Sequence, residues 1–403
     1  MSGPLTGIRV VDLTAVWFGP FAAQMLGDLG GDIIKIEPLS GDTSRGLGRA
    51  RNPAMSPQFI NVNRNKRAIA VDLARPEGKL ILARLVRDAD VFMLNLRRKP
   101  AARLGVSYRD IARVNPRIIY CACVGYGRKG TYADRPAYDD LIQGASGLAA
   151  MLGRHLGTEP RYVPAGIADK TTGLHAVVGI TSALVHRART GEGQEIEVPM
   201  FEVMSAFNLA DYMYGMTFVP PTGEAGFDRT MSPHRRPYRT KDGHICALCY
   251  TDRHWQRFFQ IAGRPDLAAD PRYTTSEGRI ASIDELYVLF SDIMQTRTSA
   301  EWVTLLSEAD IPVAPLWRGE DLFDDPHLRA SGLLREVDHP SEGRIRQVGF
   351  PVEFSKSPAS IRRPTPRLGE HTVEVMREAG YDPAEIRALA DAGVIRTRDG
   401  DIG

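Results

Sequence analysis

Asp169 is the residue whose type and position first suggest chemistry. It lies in the stretch 164–200, where Leu174, Val177, Val178, Thr181, Leu184 and Val185 recur at the three-and-four spacing of a helix with one buried face. Asp169 falls where that helix begins; Arg187 and Arg189 load its last turn, and Thr190-Gly191-Glu192-Gly193 closes it. A carboxylate at such a start meets unpaired N–H groups and the positive end of the helix dipole, so ionisation at neutral pH is expected. It either caps the helix or, held in the right direction, attacks an activated carbonyl to form a covalent intermediate. Taken alone, its position leaves both roles open.

Cysteines are the second candidates. Cys121 and Cys123 form C-x-C, and Cys246 and Cys249 form C-x-x-C, both inside strand-like runs. On one strand Cys246 and Cys249 would face opposite sides, which is wrong for a shared ion, and no histidine pair at ligand spacing accompanies them. Structural thiols are expected, and no metal.

These residues need elements to position them, and the first half of the chain supplies an alternating series. A strand at 7–13 precedes a helix at 21–29, admitted by Gly19-Pro20, and a second strand at 32–37. Further strands are predicted at 68–73, 91–94 and 118–123, with helices at 79–88 and 108–114 between them. The pattern predicts an α/β fold: a large, doubly wound, Rossmann-like domain with a mostly parallel sheet. Glu37 ends the second strand at the ribose-binding position of dinucleotide folds. The G-x-G-x-x-G fingerprint is missing, however, and Trp17 and Phe18 stand where backbone would approach a pyrophosphate, which argues against a nicotinamide or flavin enzyme. Ligands of such sheets gather at the carboxyl ends of the strands, where the chain places Trp17, Asn95, Arg97 and the 125–130 glycine loop. Several basic residues near those ends suit a phosphate-bearing ligand.

A Pro/Gly-rich linker at 220–232 separates this part from a smaller α+β unit at 233–325, with a hairpin at 238–250 and helices at 255–262, 283–295 and 299–309. Trp255, Trp302 and Trp317 are expected to be packing residues. The formal charge of +2 on 403 residues gives no reason to expect a nucleic-acid partner. There is no signal-like start and no run approaching the ~18 apolar residues of a membrane span, so a cytoplasmic protein without a membrane partner is expected.

The segments GIRVVDLTAVWFGPFAAQMLGDLGGDIIKIEPLSGDTSRG, NVNRNKRAIAVDLARPEGK, AYDDLIQGASGL, GIADKTTGLHAVVGITSALVHRARTGEGQEIEVPMFE and LGEHTVEVMREAGYDPAEIRALADAGVI follow one another in order. Together they give the chain a nearly end-to-end resemblance to the family III CoA-transferases (CaiB/BaiF), of the formyl-CoA and carnitine CoA-transferase type. The resemblance implies an acyl-CoA:carboxylate CoA-transferase with Asp169 as the nucleophile. Its carboxylate would attack the thioester to give an aspartyl mixed anhydride, which CoA thiolate converts to an aspartyl-CoA thioester; the acceptor acid reverses both steps. Asp139, beside Tyr138, joins the catalytic set. The implied CoA site comprises Val16, Trp17 and Phe18, then Val71, Asp72, Leu73, Ala74 and Arg75, then Asn95, Leu96 and Arg97, with Arg103, Leu104 and Tyr138. No tightly bound cofactor is implied; coenzyme A and acyl-CoA are substrates.

The resemblance also implies an interlocked, ring-like homodimer, with domains at 1–219 and 233–325 and a segment at 326–403 returning to the first. Some relatives hold CoA phosphates with a basic residue where this chain has Pro38 and Ala74, so Arg75, Arg97 or Arg98 would compensate. Trp17 replaces the glutamine of oxalate-using relatives, and their glycine-rich loop is not evident before His234, which points to a larger acceptor. Succinyl-CoA is the expected donor, with Arg45, Arg235, Arg236 and Arg239 as candidate partners for a dicarboxylate. Two alternatives stand beside this reading: a 2-methylacyl-CoA racemase or other acyl-CoA isomerase, whose histidine position is Tyr138 here, and a non-catalytic CoA-ester-binding protein.

Overall fold

The computed structural model describes residues 3–398. The ends of the expected domain spans, residues 1–2 and 399–403, lie outside the described residues. In chain order the first half forms β1 (Arg9–Leu13), α1 (Phe18–Asp28), β2 (Asp32–Glu37), β3 (Lys66–Val71), α2 (Pro76–Arg87), β4 (Val91–Leu94), α3 (Arg98–Leu104), α4 (Tyr108–Val114), β5 (Ile119–Val124), α5 (Asp139–Ala145), α6 (Ile167–Thr190) and β6 (Gln194–Pro199).

Strands β3-β2-β1-β4-β5-β6 pair side by side and all parallel; the short strand Ile395–Arg396 closes the β3 edge antiparallel. This is the doubly wound order, and its topological switch point falls between β1 and β4. Strands covered on both faces need continuous burial. Thus β3 and β4 are buried at every position. One core joins Val11, Ile34, Ile69, Phe92 and Tyr120 to Val373, Met376 and Ile386 from the end of the chain.

Helix α1 begins at Phe18, three residues ahead of the expected start, because Gly19 and Pro20 fit its first turn, where proline gives up no hydrogen bond. The buried face of α6 also differs from expectation. Leu174, Val178 and Val185 are exposed. Leu184 is buried as expected, and the rest of the buried face is made by Ala168, Thr172, Gly173, Ala176, Ile180 and Ala183. Small residues let this helix lie close to α1: a Cβ on Gly173 would stand 2.8 Å from Phe21 Cδ1 and 3.2 Å from the Phe18 carbonyl oxygen. Gly173→Ala is therefore expected to lower stability by roughly 1–3 kcal/mol from overpacking, more than the helix propensity it gains. A thermal melt checks this.

The chain divides into two compact units, Met1–Ser146 with Val163–Ser205 and Pro326–Gly403, and Gly147–Tyr162 with Ala206–Asp325. The second unit thus starts before residue 219 and takes a piece from the first half. Within it, Tyr238–Arg239, His244–Ala247 and Val313–Pro315 form an antiparallel sheet. Trp255, Phe258, Phe259, Phe290 and Trp302 fill its core. Trp317 does not pack as expected; it is exposed. The strand carrying Cys246 ends at Ala247, so Cys249 lies beyond it. Cys121 and Cys123 are buried in β5 as free thiols, 3.9 Å apart. Among the described residues no group of three His, Cys, Asp or Glu is placed to hold a metal ion, and no helix is long and apolar enough to cross a membrane.

Candidate active site

Two loops meet at the switch point. Asn95, just after β4, donates from Nδ2 to the Ala15 carbonyl (2.7 Å), and its Oδ1 accepts the Ala15 N–H (3.1 Å). The amide expected to touch CoA is thus engaged on both its atoms by the β1–α1 loop. In that loop Val16 has φ 71°, a left-handed conformation that β-branched residues rarely adopt. Its N–H points at both Asp42 carboxylate oxygens (3.2 and 3.3 Å). Trp17 is anchored by Nε1–H to Gln58 Oε1 at 2.9 Å, and Phe18 is buried.

Beneath this loop lie four fully or nearly fully buried charges. Lys35 bonds Asp42 (2.9 Å) and the Thr14 carbonyl (2.7 Å); Lys66 bonds Asp12 (3.0 Å), Asn63 and the Pro20 carbonyl. Burial alone would raise the Asp12 carboxyl, but Lys66 and Lys35 hold it below its ordinary value. Burial pushes the Lys66 ammonium down to about 8. Paired and hydrogen-bonded, such charges fix geometry; removing one partner would leave the other uncompensated.

The other expected CoA residues divide by environment. Val71 and Leu73 belong to the apolar core, and Leu96 and Leu104 pack against it, so their side chains are committed to the fold. Asp72 turns the chain by accepting the Ala74 N–H at 3.0 Å. Ala74, Arg75, Arg97, Arg103 and Tyr138 are exposed. Of the arginines proposed to hold phosphates, Arg98 is instead bound to Glu197 at 2.6 Å. Arg45 is likewise withdrawn as a carboxylate partner: it is buried, paired in a fork with Glu37 (2.7 Å twice) and stacked 3.7 Å from the centre of the Phe59 ring. The same pair commits the Glu37 carboxylate at the end of β2 to Arg45.

Asp169 sits in the first turn of α6, whose cap position is Gly166, a residue with no side chain to accept an N–H. The missing cap comes from α5: Asp139 Oδ1 accepts the Asp169 N–H at 2.9 Å. Gln143, one turn along α5 and fully buried, steadies the arrangement. Its Nε2 donates to Asp139 Oδ2 (2.7 Å), and its Oε1 accepts the Val163 N–H (2.8 Å). Sequence reasoning missed Gln143; its signal was a polar residue four positions after Asp139 on the same helix face.

Among the described residues no donor is bonded to the Asp169 carboxyl oxygens. Burial first, then the neighbouring Asp139 and Asp140 charges, raise it from the ordinary 3.8 to about 7, against the pull of Lys170. The expectation of ionisation at neutral pH is corrected accordingly: burial and the neighbouring carboxylates outweigh the helix start, whose Asp169 N–H is taken by Asp139. Gly166 leaves room beside the pair. A Cβ there would lie 3.7 Å from Asp139 Oδ1 and 4.0 Å from Asp169 Oδ2.

The family model of CoA-transferase family III matches residues 5–372. This chain belongs to CoA-transferase family III. A succinate–glutarate CoA-transferase of Agrobacterium fabrum is 35% identical over 93% of this chain and 95% of its own length. A human succinyl-CoA:glutarate CoA-transferase is 32% identical over 97% and 90%. In structure the chain is similar to a CAIB/BAIF family protein of Brucella suis, with a TM-score of 0.79 and 30% identity over 94% of this chain and 100% of that one. As a member of CoA-transferase family III, the protein is a CoA-transferase.

Proposed function

We propose that the protein moves CoA between carboxylic acids through covalent intermediates on Asp169. The observation that carries this reading is the half-buried Asp169 carboxyl in the first turn of α6, with no donor among the described residues bonded to its oxygens and Asp139 holding its backbone N–H. Carboxylates that serve structure here, such as Asp12, Asp42 and Glu37, are all tied to cations. Asp169 keeps its lone pairs for attack.

The steps balance as follows. An ionised Asp169 oxygen adds to the acyl-CoA carbonyl, and CoA leaves as thiolate, giving the mixed anhydride. The thiolate attacks the Asp169 carbonyl carbon and expels the donor acid as carboxylate. The acceptor carboxylate then attacks the aspartyl thioester and releases thiolate, which takes the new acyl group and frees Asp169. Asp139 holds the backbone of the nucleophile throughout and, as a second negative charge, raises its proton affinity. The names of the relatives support succinyl-CoA as donor and a dicarboxylate of similar size as acceptor. The exposed apolar Leu174, Val178 and Val185 on α6 support a homodimer. Tyr138, exposed and without an imidazole, gives no support to racemase chemistry.

Intact mass after mixing with succinyl-CoA tests the reading. A CoA adduct that hydroxylamine removes is expected on the native protein and absent from Asp169→Ala. The same adduct on both proteins would place the covalent chemistry elsewhere.

A further inference from the structure

We propose that Asn95 and Asp42 are positioning residues of the acyl-CoA site, which together clamp the Ala15–Val16 backbone in a turn that Val16 itself disfavours. This rests on the reading that the β1–α1 loop meets CoA. Left-handed backbone at a β-branched residue persists only where its surroundings over-determine it. Here they do, residue by residue. The Thr14 N–H and hydroxyl go to Asp12 (2.9 and 2.5 Å), and the Thr14 carbonyl goes to Lys35. Both backbone groups of Ala15 go to Asn95. The Val16 N–H goes to Asp42, which Lys35 and the Ser44 N–H and hydroxyl hold in turn.

Asn95 directly follows β4 and Asp42 lies in the segment after β2, so the clamp spans both sides of the switch point. Nothing in the core requires residue 16 to adopt this conformation, because its side chain is only half-buried. The strained turn is maintained by polar groups at the carboxyl ends of the strands, the place where ligands of this fold bind. Asn95 therefore acts through the loop.

The test is calorimetric binding of coenzyme A to the full-length protein, Asn95→Ala, Val16→Gly and the double variant. Glycine adopts φ 71° without penalty, so it removes the need for the clamp. Asn95→Ala is expected to weaken binding ~10-fold in the native background and less than ~3-fold in the Val16→Gly background. Asn95→Asp, nearly isosteric, keeps the acceptor for the Ala15 N–H and loses the donor to its carbonyl. The same dependence on background is expected of it, which covers the case where the alanine variant does not fold. An equal loss in both backgrounds would overturn the clamp and make Asn95 a direct ligand contact. If the native protein does not bind coenzyme A, the functional reading fails; the clamp is then decided by amide exchange at Ala15 and Val16, expected to quicken in Asn95→Ala and unchanged if the clamp is wrong.

Discussion

Asp169→Asn is expected, on the proposed mechanism, to lower CoA transfer by roughly 10,000-fold or more, the scale of losing a covalent nucleophile. The amide matches the carboxyl in shape, so binding of acyl-CoA should survive and the loss should appear in kcat. The surroundings favour a clean result. No donor among the described residues is bonded to the Asp169 carboxyl oxygens, so the amide breaks no bond there, and the Asp169 backbone N–H still reaches Asp139. The same substitution at Asp12 would read differently, since it would strip Lys66 of its buried partner and unfold the loop. Steady-state kinetics with succinyl-CoA and glutarate, with CoA binding measured in parallel, separates the cases. A residual rate within tenfold of native would remove Asp169 from the covalent step.

The sheet was legible because its strands are bounded by plain signals. The strands 32–37 and 91–94 fall where the apolar runs stop at Pro38 and Asn95. Asp169 was legible as the start of a helix ended by Gly191, which takes φ 81° at the cap. Its proton affinity was not, because that depends first on burial and then on Asp139 and Asp140, some thirty residues away, all set by packing of α5 on α6. The buried face of α6 was misread for a related reason. Hydrophobic periodicity marks large side chains, whereas this helix buries its small ones to lie close to α1. Arg45 and Arg98 looked available for anions because sequence does not reveal that Glu37 and Glu197 already hold them. Asp12, Lys35 and Lys66 carried a signal that went unread: charged residues inside strands buried on both faces must pair with one another.

On the proposed mechanism, in which only ionised Asp169 attacks, activity should rise with pH up to about 7 and then level, because its carboxyl is raised to about 7. Below that value the rate should fall tenfold per pH unit, an effect of ~100-fold between pH 7 and pH 5. The groups facing Asp169 set the position of this limb: Asp139 and Asp140 raise it and Lys170 lowers it. Asp140→Asn, at an exposed site, should move the limb to lower pH while the plateau remains. Stability must run the opposite way. With a folded-state value above the unfolded 3.8, the folded protein binds the proton more tightly, so the cost of ionising Asp169 is absent below pH 3.8, grows with pH and is complete above about 7. Asp169→Asn, which never ionises, should therefore be the more stable protein at pH 8, by on the order of 2–4 kcal/mol, with the gain vanishing near pH 4. Thermal melts of both proteins at the two pH values measure it. A mutant less stable than native at pH 8 would mean that the carboxylate is held by partners after all, and that the acid limb of the rate belongs to another group. A gain at pH 8 alongside lost turnover would mark Asp169 as a residue kept for reaction at a cost to the fold.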